Sequence, residues 1–211
     1  MKLGVSLITI RPNQVDRREV FLLEGSSERI GVPSSAPSEI IGHHGCSKQI
    51  ADIILSGSQF RQSTNRYDWL GNGIYFWEFG YYRAAEWAQE LHGANWAVLE
   101  ATIKLGNCLN LLDVAHYDHM SEAFARYKAR AEALGVRLTE NKDGAHNLDR
   151  AVIEFYCQDH EASGGKPFQT VRGCFPEGGS MFEGSKILRE SHIQIAVRDV
   201  ACISLVKQVK I

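Results

Sequence analysis

Two glycines separated by one residue, Gly71-Asn72-Gly73, run straight into Ile74-Tyr75-Phe76-Trp77, and this junction restricts the fold more than any other segment. Glycine accepts backbone conformations that other residues avoid, so the pair permits a tight turn. The bulky β-branched and aromatic residues that follow suit a strand. No helix follows the glycines directly, so the segment is neither a GxGxxG dinucleotide fingerprint nor a P-loop. Two readings fit it. One is a turn that feeds a core aromatic strand. The other is a turn whose bare backbone approaches a ligand and sets Tyr75 beside it.

The surrounding pattern mixes both periodicities. Lys48–Ser56 carries Ile50, Ile53 and Ile54 on one helical face, with Ser47 as a capping residue and Gly57 as a stop. Tyr81–Leu91 reads as a helix with Ala84, Ala88 and Leu91 inward. Met120–Leu134 is amphipathic through Met120, Phe124, Tyr127, Ala131 and Leu134, and Leu148, Ala151, Val152 and Phe155 predict a further helix. Ala97, Leu99, Ala101 and Ile103 alternate as in a half-buried strand. Strand patterns dominate from Thr170 onward, above all in His192–Val197 and Ile203–Val209. Helices early and strands late give an α+β chain rather than a βαβ alternation.

The 211 residues, 44% hydrophobic and 23% charged, suffice for one domain with a real core. Residues 1–38 read as an N-terminal strand (Met1 to Ile10) and a Pro/Ser-rich linker packed on a main domain over 39–211. The net charge of −2 gives no global attraction to nucleic acid or an acidic membrane. No apolar run nears the ~18 residues of a membrane span. Five scattered cysteines without a CxxC suit reduced thiols in the cytoplasm rather than a disulfide framework or zinc site.

Gly71–Phe76 resembles the GxGIYF segment of the poly(ADP-ribose)polymerase-like, diphtheria-toxin-type ADP-ribosyltransferases. His44-Gly45 lies where that family has a His-Gly pair, and Ala84-Ala85-Glu86-Trp87 where it has a small residue followed by a nicotinamide-stacking aromatic. A third island, His192-Ile193-Gln194-Ile195-Ala196-Val197, falls at the strand that begins with the family's catalytic glutamate. Alternation puts Ile193, Ile195 and Val197 on a core face and His192, Gln194 and Ala196 opposite. Gln194 takes the glutamate position without gaps, and a two-residue slide would put His192 there. The resemblance runs from about Ile41 to the C-terminus.

What the resemblance implies is a split pair of mostly antiparallel sheets with flanking helices around an NAD cleft. His44, Tyr75 and Gln194 would be catalytic. His44, Gly45, Gly73, Tyr75, Ala84 and Trp87 would hold NAD, with His192, Arg172 and Glu177 as accessory groups. Breaking the nicotinamide–ribose bond gives an oxocarbenium-like ribose. Tyr75 and Trp87 can stack on the planar nicotinamide. His44 would hold a hydroxyl of the adenine-side ribose. A glutamine at 194 keeps a hydrogen bond and lacks a charge, and losing one preorganised group of this kind costs on the order of 10²–10³ in rate. The expected activity is therefore single ADP-ribose transfer to a macromolecular acceptor, as in a toxin or phage-defence effector that an inhibitor or antitoxin protein restrains. The basic helix residues Arg126, Lys128 and Arg130, with Arg137 and Arg172, tilt the acceptor slightly towards nucleic acid over protein. An NAD glycohydrolase and a catalytically silent NAD- or ADP-ribose-binding module are the competing readings.

Overall fold

The computed structural model describes residues 37–65, 68–142 and 144–209. The strand expected over Met1 to Ile10 and most of the linker lie outside these residues. Among the described residues there are seven strands, β1 (Glu39–Ser47), β2 (Ile74–Glu78), β3 (Trp96–Lys104), β4 (Cys108–Asn110), β5 (Thr170–Phe175), β6 (His192–Val197) and β7 (Ile203–Val209), and four α-helices. The helices are α1 (Lys48–Leu55), α2 (Tyr81–His92), α3 (Tyr117–Ala133) and α4 (Asn147–Ala162). The strands form one sheet in the order β4-β5-β6-β2-β1-β3-β7, antiparallel at every step except β4–β5. The α+β class holds. In place of two sheets there is one, and its pairing is very uneven. All nine residues of β1 pair with β3, whereas β1 meets β2 only at Gly42–Glu78 and His43–Trp77.

Both faces of the sheet are covered. On one face Ile40, Cys46, Ile74, Phe76, Leu99, Ile103, Ile195 and Val197 pack with Ala51 and Ile54 of α1. On the other, α2 packs Ala84 and Ala85 against Trp77 and Val98, while α4 packs Ile153 and Cys157 against Val171 and Ala196. The half-buried strands expected from alternation are thus buried on both sides: Val98 and Ala196 are as inaccessible as Leu99 and Ile195. Helix faces shift for the same reason. In α1 the buried residues are Ala51 and Ile54, with Ile50 and Ile53 exposed, and in α2 Leu91 points outward while Ala85 turns in. Ser47 does cap α1, its hydroxyl accepting from the Ile50 N–H, and Gly57 follows with φ +106°. Among the described residues no helix is long and apolar enough to cross a membrane.

Two ion pairs fasten the half of the sheet that carries β2, β5 and β6. Arg172 of β5 reaches across β6 to Glu78 of β2, with Nε and Nη2 on the two carboxylate oxygens at 2.6 and 2.7 Å. Nη1 donates to the Asn110 side chain at 3.3 Å, and Arg172 is only 8% exposed. The second pair joins Arg198, just past β6, to Glu154 of α4 at 2.6 Å. Glu154 also accepts from the Asn72 N–H, and Arg150 donates to the Asn72 side chain, both at 2.6 Å. The glycine turn is therefore clamped by α4. The φ of +85° at Gly71 calls for glycine, and a β-carbon there would also push the Glu154 carboxylate out of its place.

Removing one partner of a buried pair strands the other charge and costs about 3–5 kcal/mol, whereas replacing both by apolar groups is often near neutral. Glu78→Leu and Arg172→Met should each lower the urea-measured unfolding free energy by about 3 kcal/mol on that basis. The double variant should lose far less than the sum. Additive losses would show that the pair is not coupled.

Candidate active site

β1 and β2 part company immediately after His43–Trp77. The Phe79 N–H donates to the Ile41 carbonyl at 3.0 Å, so odd-numbered residues of β1 turn their backbone groups towards β2. The next hydrogen-bonded pair of the ladder would be Gly45–Tyr75, and the strands do not form it. Instead His44 spans the gap, its Nδ1 donating to the Tyr75 carbonyl at 2.9 Å. That proton assignment follows from the partner, since a carbonyl can only accept. The N–H and C=O of Gly45 are thereby left facing an opening in the sheet, one donor and one acceptor on a single residue.

The side chains around the opening divide between the faces. His44 lies on the α1 face, its ring 5.3 Å from Phe60 and 5.5 Å from Phe76, centroid to centroid. Burial pulls its pKa below 6.5 against the opposing Tyr75 hydrogen bond, so the ring is neutral near pH 7 with Nε2 as an acceptor. Tyr75 lies on the other face. Its hydroxyl donates to the Gly71 carbonyl at 2.6 Å and accepts from the Leu70 N–H at 2.9 Å. The turn that precedes Tyr75 in sequence thus holds its ring in place. Burial, with the nearby Asp68 charge, drives the phenol pKa far up, so Tyr75 acts as a neutral ring and not as a base.

Tyr75, Trp77, His192 and Gln194 share one strip between α2 and α4. Trp77 pairs across strands with Gln194, and Tyr75 with Ala196. Trp87 of α2 stands 5.8 Å from Trp77, tilted by 52°, and Trp77 stands 6.4 Å from His192. Trp77 is 7% exposed and its indole N–H has no partner among the described residues. Sequence reading passed over it, although its period-2 spacing from Tyr75 was the available signal.

His192 and Gln194 form a linked pair. His192 Nδ1 donates to the Glu190 carbonyl at 2.7 Å, and its Nε2 lies 2.8 Å from Gln194 Nε2. Glu177 lies 3.6 Å from the same imidazole and 3.1 Å from Arg83 of α2, which also meets Glu86 at 2.9 Å and Glu190 at 3.5 Å. A carboxylate from the loop after β5 is therefore placed next to the glutamine strand, and Arg83, an unremarked residue of the sequence, holds it there.

Several groups expected to meet a ligand have structural occupants. A β-carbon at Gly45 would collide with the Ala84 carbonyl of α2 and lie 3.1 Å from the Ala88 side chain. One at Gly73 would lie 3.0 Å from Ala196. Both glycines are thus demanded by close packing on the side-chain side, whatever their backbones bind. Arg172, expected as a phosphate clamp, is committed to Glu78 and Asn110. On the basic helix Arg126 pairs with Asp159, Lys128 with Glu132, and Arg137 beyond it with Glu140. A separate groove of about 600 Å³ between α2 and the β3–β7 edge is lined by Tyr81, Tyr82, Trp96 and Gln208, away from the strip.

No protein-family model and no curated protein matches the chain.

His43, His44 and His192 are all held below 6.5, chiefly by burial. Above pH 6.5 neither state carries the extra protons, and as pH falls below it the unfolded chain binds them first. Unfolding free energy should therefore fall as pH drops from 7 through 6.5 towards the folded-state values. His44→Asn should flatten that decline. Denaturant titrations between pH 7.5 and 5 read the slope, and an unchanged slope in the variant would sink the assignment.

Proposed function

We propose that the chain is an NAD-dependent mono-ADP-ribosyltransferase of ADP-ribosyltransferase-like fold. The observation that carries this reading is the unmade Gly45–Tyr75 pair, where the sheet offers a backbone donor and acceptor beside an aromatic ring. A primary carboxamide on a flat ring, as in nicotinamide, has the complementary acceptor and donor in one plane. Tyr75 supplies a ring fixed by two hydrogen bonds, and Trp87 a second ring, 38% exposed, from α2. Gly45 lets α2 come close, with the Ala84 carbonyl and the Ala88 side chain against it. His44 Nε2 is free to accept a ribose hydroxyl.

Gln194 enters the strip one strand away from Trp77 and faces the same side as Tyr75. In this role it accepts a hydrogen bond from a ribose hydroxyl but brings no charge to the oxocarbenium-like transition state. The reading is therefore single transfer to a nucleophile that needs little activation. Arg172 and most of the basic helix, which had favoured nucleic acid as acceptor, are internally paired, so their weight in that choice drops. The acceptor is a macromolecule, nucleic acid or protein. An effector of this type would act inside a cell, under the control of an inhibitor protein.

Incubation with NAD labelled in the adenylate half, against separate RNA, DNA and protein pools, tests the reading. Label should enter one pool with stoichiometric nicotinamide release. Free ADP-ribose alone would indicate a glycohydrolase, binding without turnover a silent module, and neither binding nor release would end the proposal. Tyr75→Ala should weaken NAD binding at least tenfold, the equivalent of about 1.4 kcal/mol. Gln194→Ala should lower turnover by on the order of 10²-fold with a smaller change in KM.

A further inference from the structure

A glutamine at the position of an acceptor carboxylate has a problem that a glutamate does not. Its carboxamide has one accepting and one donating end, and only the oxygen can receive a ribose hydroxyl. Something must decide which end faces the ligand. We propose that His192 is a positioning residue that orients the Gln194 carboxamide with its oxygen towards the ribose, a role that rests on the transferase reading above.

Among the described residues the only contact of His192 Nδ1 within 3 Å is the Glu190 carbonyl at 2.7 Å, which can accept and cannot donate. The ring proton of the neutral imidazole therefore sits on Nδ1, and Nε2 carries a lone pair. The groups that face the ring are Glu177 from the loop after β5, Glu190 before β6 and Arg83 from α2. Burial outweighs the two carboxylates and holds the imidazole in its neutral form near pH 7. The Gln194 group 2.8 Å from Nε2 must then be the NH₂, because an oxygen there would put two lone pairs together. Its oxygen is turned to the opposite side.

The imidazole itself has little room to move. Its side chain is 5% exposed, and the rings of Trp69, Trp77 and Phe175 surround it at centroid distances of 6.4, 6.4 and 5.9 Å. Arg83 braces the Glu177 and Glu190 segments against α2. The chain of constraint runs from the Glu190 carbonyl through the fixed tautomer to the amide. His192 and Gln194, two residues apart on one strand, work as a matched pair. The residue that a two-residue slide would have put at the catalytic position instead sets the orientation of its neighbour.

Three variants separate positioning from mere packing. His192→Phe fills the aromatic pocket without an acceptor, so the amide is free to turn over. His192→Gln offers a side-chain oxygen near the place of Nε2. Turnover should fall about tenfold in His192→Phe, the worth of one hydrogen bond, with KM for NAD little changed. His192→Gln should recover most of it. Gln194→Glu should not raise turnover, since a carboxylate would face the Nε2 lone pair until His192 takes up a proton. Nitrogen-detected NMR of the unliganded wild type should show Nδ1 protonated and Nε2 bare at pH 7. A protonated Nε2 would overturn the inference, as would equal losses in the Phe and Gln variants. If the wild type turns over no NAD in any pool, the transferase reading fails, and the tautomer measurement still decides the orientation of the amide.

Discussion

The hydrogen bond from His44 to the Tyr75 carbonyl is the interaction on which the rest of the arrangement turns. A regular antiparallel ladder would place the Gly45 N–H on that carbonyl and close the sheet from edge to edge. The imidazole takes the carbonyl first, so β1 and β2 separate after two registered pairs. Everything distinctive about the site follows. Gly45 keeps its backbone groups, Tyr75 keeps its carbonyl satisfied, and the opening is bordered by side chains from both faces. A buried neutral histidine is well suited to this task, because it gives one proton to the carbonyl and retains one lone pair.

Polar groups buried elsewhere serve to make that opening rigid. The glycine turn is fixed to α4 by Glu154 and Arg150, the Tyr75 hydroxyl is fixed to the turn, and Glu78 is fixed to β5 by Arg172. All but the Tyr75–Gly71 bond join residues more than seventy positions apart in sequence. The strip of Tyr75, Trp77, His192 and Gln194 lies between α2 and α4 because each helix covers a different half of the sheet. Trp77 belongs to the packed core, whereas Tyr75, His192 and Gln194 beside it are half-buried.

Much of this order could be read from the residues. The strands His192–Val197 and Ile203–Val209 have the predicted limits, because short alternating runs bounded by turn residues leave little freedom. Helices α2, α3 and α4 fall where apolar spacing put them. The inner strand β1 did not declare itself. Its sequence EIIGHHGCS carries two histidines and two glycines, poor strand formers, and it is a strand because nine pairs to β3 and the approach of α2 make it one. The same tertiary cause explains Arg172 and Glu154. A charge in a strand or helix reads as exposed until its partner is known, and the partners lie 94 and 44 residues away. The neighbourhood of Tyr75 and Gln194 was legible through residue type and spacing. The roles of Trp77 and Arg83 depend on which strands meet, and composition does not encode that.

The seam between β1 and β2 also bears on alignment. A strand that slips by one residue exchanges its two faces, which here would send Tyr75 and Trp77 into the α1 core and bring out Ile74 and Phe76. Two pairs would be a weak guard against that if they stood alone. But β2 is registered to β6 over Ile74–Trp77, and β1 to β3 over its full length, each on the side away from the seam. Alignment is therefore stored in the outer ladders, and the seam needs none of its own. The two halves keep their places through the bindings on either side, as the leaves of a folded page do when both outer edges are sewn.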